Sequence, residues 1–300
     1  MHPSTPTRFI DPALLAGISH LDLVAKTVVD GFVAGLHRSP DFGFSQEFAE
    51  YRAYTPGDDP RNVDWNVFAR TDRTYVKRYR GETNSLLTML LDASNSMNYA
   101  SHSVSKMNYA RFMAAAIFYL AIRKQRDAAG LLVFDDEVRN YIRPSTRQGQ
   151  FHRLLSGLEL AEPHARTNFE EPLRHMQSFV RRRGMVVILS DFYEKPQTLI
   201  RAIEPLRYRG NEVVLFHILD PKELKPELGA STVLVDLETR TRIEVTAEYA
   251  AREYGERIAQ HIEQLREGAQ RAGMSYQLLV TDRPLDDALR EYLTLRRRRQ

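Results

Sequence analysis

The sequence predicts an α/β fold: a doubly wound, mostly parallel sheet of six strands with helices on both faces. Three observations carry that prediction. Leu86 to Leu91 is an almost wholly apolar run that stops at Asp92, and MVVILSDF, Met185 to Phe192, is a second apolar run that breaks at Asp191. Short apolar runs with polar ends are the pattern of strands buried on both faces. Segments with apolar residues at helical spacing alternate with such runs, as a parallel sheet requires. Crossovers of this kind are nearly always right-handed, which sends helices to both faces.

Taken in order, residues 1 to 18 carry little periodicity and read as loose. From Leu21 to Leu36 the apolar positions Leu21, Val24, Ala25, Val28, Val29, Phe32 and Val33 recur at helical spacing, and Ser39-Pro40 closes the helix. Ser45 to Glu82 holds the single tryptophan, Trp65, among many charges, with a turn at Thr55-Pro56-Gly57-Asp58 and an alternating strand over Thr74 to Arg80. It reads as a buttress in which Trp65 is buried and the charges pair; the competing readings are a catalytic site and a docking loop. Residues 1–84 therefore form an extension, and residues 85–300 the main domain.

In that domain Lys106 to Arg126 is a long helix, followed by the strand Leu131 to Phe134. Glu137 to Ile142 comes after only Asp135 and Asp136, a spacing that permits a hairpin and no crossover, so this strand is expected antiparallel at the sheet edge. Helices near Gln148 to Leu158 and Phe169 to Arg182 lead to the strand at Met185. Val213 to Leu219 and Tyr276 to Val280 supply two more strands, with a small hairpin inserted near 221–246. Leu285 to Arg297 is the closing helix.

Composition narrows the function classes. No cysteine is present, which excludes disulfides, thiol catalysis and zinc-cysteine centres. The start lacks the apolar core of a signal peptide, and the longest apolar run, Phe112 to Ile122, is too short to span a bilayer. The chain is thus expected to be cytoplasmic, without membrane insertion. A net charge of +3 hints at nucleic acid. The arginines of RRRG, RYRG and QRAG, however, sit before glycines where helices end, as C-terminal cations complementing helix dipoles. No nucleic-acid partner is expected.

The chemistry gathers at the two strand ends. Asp92, Ser94 and Ser96 form D-x-S-x-S, Asp191 ends the second run, and Thr167 lies in ARTNF between them. Hydroxyls and carboxylates are hard oxygen donors, suited to Mg²⁺ or Mn²⁺. In open α/β sheets ligands bind at the carboxyl ends of strands. On these five residues, from about Ser85 to Arg297, the chain resembles the von Willebrand factor A domain with its metal-ion-dependent adhesion site. The resemblance implies the strand order 3-2-1-4-5-6, direct binding of the ion by Ser94, Ser96 and at times Thr167, and action of Asp92 and Asp191 largely through water. It also implies an open position that a partner's Asp or Glu completes.

The extension carries a second resemblance. E-F-x-x-Y-R-x-Y-x-x-G-D-x-x-R-x-x-D-W-x-x-x-A-R, Glu47 to Arg70, followed by D-x-S-x-S-M, is similar to the bacterial family known as domain of unknown function fifty-eight. The motif marks Arg52, Tyr54, Gly57, Asp58, Arg61, Asp64, Trp65 and Arg70 as possible docking residues. Genes of that family often neighbour those of MoxR-type AAA+ ATPases, which implies an adaptor or co-chaperone of such an ATPase that captures a client's acid. The alternative is a Mg²⁺-dependent hydrolase of phosphate esters. No nucleophile with its base is visible, Asp92 lacks the second acid of an aspartyl-phosphate phosphatase, and no Walker loop is present, so no catalytic residue is assigned.

Overall fold

The computed structural model describes residues 11–36, 48–55, 63–79, 85–163, 172, 179–180, 182–226, 231–235, 242–246 and 253–297. The chain divides into two compact units: Met1–Val33 with Asn84–Gln300, and Ala34–Thr83. The amphipathic helix that the sequence assigns to the extension is grouped, up to Val33, with the larger unit.

The larger unit opens with α1 (Pro12–Leu15), capped by the Asp11 side chain, and α2 (Leu21–Leu36). Leu21, Val24, Ala25, Val28, Val29 and Phe32 are buried, the stripe that the spacing predicts. In the smaller unit β1 (Phe48–Ala53) is followed by α3 (Trp65–Thr71) and β2 (Tyr75–Tyr79), and the two strands pair antiparallel. Asp64 accepts from the backbone N–H groups of Asn66 and Val67 and so starts α3. Val63, Asp64 and Val76 are buried, whereas no residue of α3 is.

The predicted burial of Trp65 is corrected here: its side chain is 61% exposed. As the first residue of α3 it projects from a helix with no buried face, and its ring meets Phe68 edge-on at 6.0 Å.

The main sheet is built from β3 (Leu86–Asp92), β4 (Ala128–Phe134), β5 (Val138–Ser145), β6 (Met185–Ser190) and β7 (Glu212–Leu219), with the later β10. A short 3-10 turn, Asn95–Asn98, leads from β3 into α4 (Lys106–Phe118), which continues as a π turn over Tyr119–Lys124. The remaining elements are α5 (Gln150–Glu159), α6 (Pro196–Tyr208), α7 (Pro221–Leu224), the hairpin β8 (Ser231–Val235) with β9 (Arg242–Thr246), α8 (Gly255–Arg271), β10 (Ser275–Val280) and α9 (Asp286–Arg297).

The spatial order is β10-β7-β6-β3-β4-β5, with only β5 antiparallel. This is the doubly wound, mostly parallel architecture and the strand order anticipated from the sequence, including the antiparallel edge. The helix expected over Phe169 to Arg182 lies mostly outside the described residues.

Two features fix the site's position. All of β6 and all but the first residue of β3 are buried, so the two strands pair in the middle of the sheet and end side by side at Asp92 and Ser190. There the order reverses, with β4 on one side of β3 and β7 on the far side of β6, the switch point at which doubly wound folds open a crevice.

Candidate metal centre

At the end of β3 the chain turns on its own carboxylate. Asp92 Oδ1 accepts from the Ser94 backbone N–H at 2.8 Å, an Asx turn, while Oδ2 accepts from Ser190 Oγ at 2.5 Å. The 3-10 turn that follows brings Ser94 Oγ within 3.0 Å of Ser96 Oγ. Asp92 and Ser94 are fully buried and Ser96 is half-buried, so of the three only Ser96 reaches the surface.

The end of β6 is held by a strained residue. Phe192 has φ of 50°, the left-handed region that side-chain-bearing residues seldom adopt. Two hydrogen bonds and the burial of its ring hold it there. Its N–H donates to Ser190 Oγ at 2.9 Å, its carbonyl receives His261 Nε2 at 3.0 Å, and its ring is wholly buried. This backbone bend directly follows Asp191 and fixes the direction in which that carboxylate leaves the strand.

Asp191 faces a cation that the sequence does not reveal. Lys106, the first residue of α4, is fully buried, and its Nζ donates to Asp191 Oδ2 and to Glu223 Oε1, each at 2.7 Å. Burial works against the ammonium, but the two acids outweigh it and hold its pKa above the ordinary value. The Tyr193 ring lies 4.8 Å and the Tyr99 ring 5.9 Å from Nζ. Glu223 is itself fixed, because Oε2 accepts from the Asp220 N–H at 2.8 Å in the capping box of α7.

The electrostatics leave negative charge to spare. Asp191 and Glu223 set two carboxylates against the one ammonium of Lys106, and Asp92 lies near Asp191. Burial and then the neighbouring Asp191 push Asp92 up to about 7, against the opposing hydrogen bonds from Ser190 and Ser94. The donor set fits a hard divalent cation, since the serine hydroxyls and the adjacent acids are all oxygen donors. Ser94 and Ser96 would hold the ion, with Asp92 and Asp191 beside it; it would supply an electrophilic centre for an oxygen ligand.

Asp92, Ser94, Ser96 and Asp191 thus gather at one sheet end, whereas Thr167 lies outside the described residues. Among the motif residues of the smaller unit, Arg52 is half-buried on β1 and donates to Thr55 Oγ1 at 2.8 Å. Tyr54 is 36% exposed, Asp64 caps α3, and Arg70 is exposed in its last turn. Gly57, Asp58 and Arg61 fall outside the described residues.

Sequence reasoning missed Ser190, Lys106 and Glu223. The D-x-x-E of Asp220 to Glu223 was a readable capping box. A lysine opening a helix carries no signal of burial.

Comparison with known proteins places the chain. An uncharacterised protein of Mycobacterium tuberculosis is 29% identical over 259 residues, covering 84% of this chain and 80% of that one. Among solved structures, the conserved hypothetical protein BatB from Bacteroides thetaiotaomicron is similar at TM-score 0.47 and 13% identity, covering 70% of this chain and 97% of that one. The VWA domain of SpRpn10 is similar at TM-score 0.45 and 14% identity, covering 70% and 95%. The family profile described as protein of unknown function DUF58 matches residues 50–264, and the chain belongs to that family.

Proposed function

We propose that this protein is a metal-dependent protein-binding module, in which Mg²⁺ or Mn²⁺ at Asp92, Ser94, Ser96, Thr167 and Asp191 captures an Asp or Glu of a partner. One observation carries the reading. Two hydroxyls 3.0 Å apart follow directly on a buried acid whose pKa is driven up to about 7, at the point where the strand order reverses. Neutral hydroxyl ligands leave a bound cation with charge to satisfy, and a partner's carboxylate is the donor that satisfies it. The same geometry disfavours Asp92 as the nucleophile of a phosphate-ester hydrolase. It is fully buried, and both its oxygens already accept hydrogen bonds.

The family resemblance suggests a MoxR-type AAA+ ATPase as the partner, with this chain as adaptor or co-chaperone between ATPase and client in the cytoplasm. No helix among the described residues is long and apolar enough to cross a membrane. The test is capture of that ATPase and of clients from native lysate on the immobilised protein, in Mg²⁺ and in EDTA. Retention in Mg²⁺ that EDTA and Ser94→Ala both abolish supports the reading. Capture indifferent to both contradicts it, and turnover of a phosphate ester that Asp92→Asn stops would restore the hydrolase.

A further inference from the structure

We propose that Lys106 is the resident counter-ion of this site, a positioning residue that occupies Asp191 so that a bound divalent ion stays electrophilic toward a partner's carboxylate. The inference rests on the metal reading above and adds to it a residue that sets how the metal's charge is shared.

Stability alone gives little reason for this lysine. Buried ion pairs are weak stabilisers, because desolvation offsets most of their attraction, and apolar residues of similar volume often replace them at no loss. Lys106 also opens α4 at the end where the helix dipole disfavours a cation. Yet its ammonium is wholly enclosed between Asp191 and Glu223 at 2.7 Å each, beside the Tyr193 and Tyr99 rings, and Glu223 is locked by the α7 capping box. A group held this completely against its local preferences has one neighbour that bears on the site: Asp191.

The consequence is a division of labour among the oxygens. A carboxylate that already binds an ammonium has less electron density to give a metal ion. Asp92 is committed in the same way, with one oxygen to Ser94 N–H and the other to Ser190 Oγ. Both acids therefore supply field while the neutral hydroxyls of Ser94 and Ser96 supply donors. Freed from Lys106, Asp191 would bind the ion more strongly and satisfy charge that otherwise remains for the partner. Lys106 thus weakens the metal's own binding and strengthens the capture that follows.

These opposite effects make the test specific. Mn²⁺ affinity is read from the electron paramagnetic resonance signal of the free ion, and carboxylate capture from the fall in water-proton relaxation as acetate displaces Mn²⁺-bound water. The proteins are wild type, Lys106→Met, and the double variant Lys106→Met with Glu223→Gln, which also removes the acid left without its ammonium. The expected result is Mn²⁺ binding tighter on the order of tenfold and acetate binding weaker by a similar factor. The double variant decides if Lys106→Met alone does not fold. If wild type binds Mn²⁺ and the variants bind Mn²⁺ and acetate unchanged, or lose both together, the assignment of Lys106 is overturned while the metal site stands. Failure of both variants to fold also overturns it, since Lys106 would then be structural. If wild type binds no Mn²⁺, the metal reading falls, and this inference with it.

Discussion

His217 lies inside β7, fully buried, between Phe192 and the rings of His261 and Tyr276, and Nδ1 shares a hydrogen bond of 2.7 Å with Tyr276 Oη. Burial, then His261 and Lys106, bring its pKa down to about 3 from the ordinary 6.5. The unfolded chain takes up this proton near pH 6.5 and the folded chain refuses it, so the stability is present above 6.5 and lost as pH falls toward 3. His261 is depressed in the same direction, chiefly by burial. Replacing His217 by Gln keeps an amide near Tyr276 and removes the titration. Melting curves between pH 7 and 4 are expected to show a shallower acid-side loss in His217→Gln, by up to about 1.4 kcal/mol per pH unit. An unchanged acid limb would mean that His217 titrates normally in the fold.

At the scale of elements, the edge of the sheet depends on one close approach. β5 bulges against β4 between the pairs Ala129 with Ser145 and Leu131 with Ile142, which sets Pro144 over Gly130. Pro144 has no N–H to offer and is tolerated because β5 is an edge strand. A Cβ on Gly130 would stand 2.6 Å from the Pro144 ring. Gly130→Ala is therefore expected to cost about 1 to 3 kcal/mol in denaturant unfolding, whereas no loss would show that the bulge yields freely. For α3 the expected outcome is the reverse. With Trp65 exposed, Trp65→Ala is expected to change stability by no more than about 0.5 kcal/mol, and a larger loss in thermal melts would contradict the observed exposure.

These elements also show what the sequence could and could not disclose. β3, β6 and β7 were legible because strands buried on both faces must be continuously apolar, and Asp92 and Asp191 stood out as the acids ending such runs. β1 was missed because FAEYRA mixes charged and apolar residues without a strict alternation in a two-stranded ribbon. Trp65 misled through composition, since a lone tryptophan is ordinarily drawn inward while only its helix's surroundings decide. Lys106 was invisible because its burial is made by Asp191 and Glu223, 85 and 117 residues further along the chain.

At the scale of the whole molecule, the parts converge on one end of the central sheet. β3 and β6 deliver Asp92 and Asp191, the 3-10 turn delivers Ser94 and Ser96, α4 delivers Lys106, and the segment after β7 delivers Glu223. Of these residues only Asp92 pairs within the sheet, opposite Phe134, so the hydroxyls of the site can be altered while the fold persists. Calorimetric titration of Mg²⁺ into wild type and into Ser96→Ala tests the central claim most directly. Ser96 is half-buried and its removal leaves the sheet intact, so both proteins are expected to melt alike. The predicted result is one Mg²⁺ bound per chain of wild type and binding abolished or weakened at least about tenfold in Ser96→Ala. Equal binding by the two proteins, or none by wild type, would contradict it.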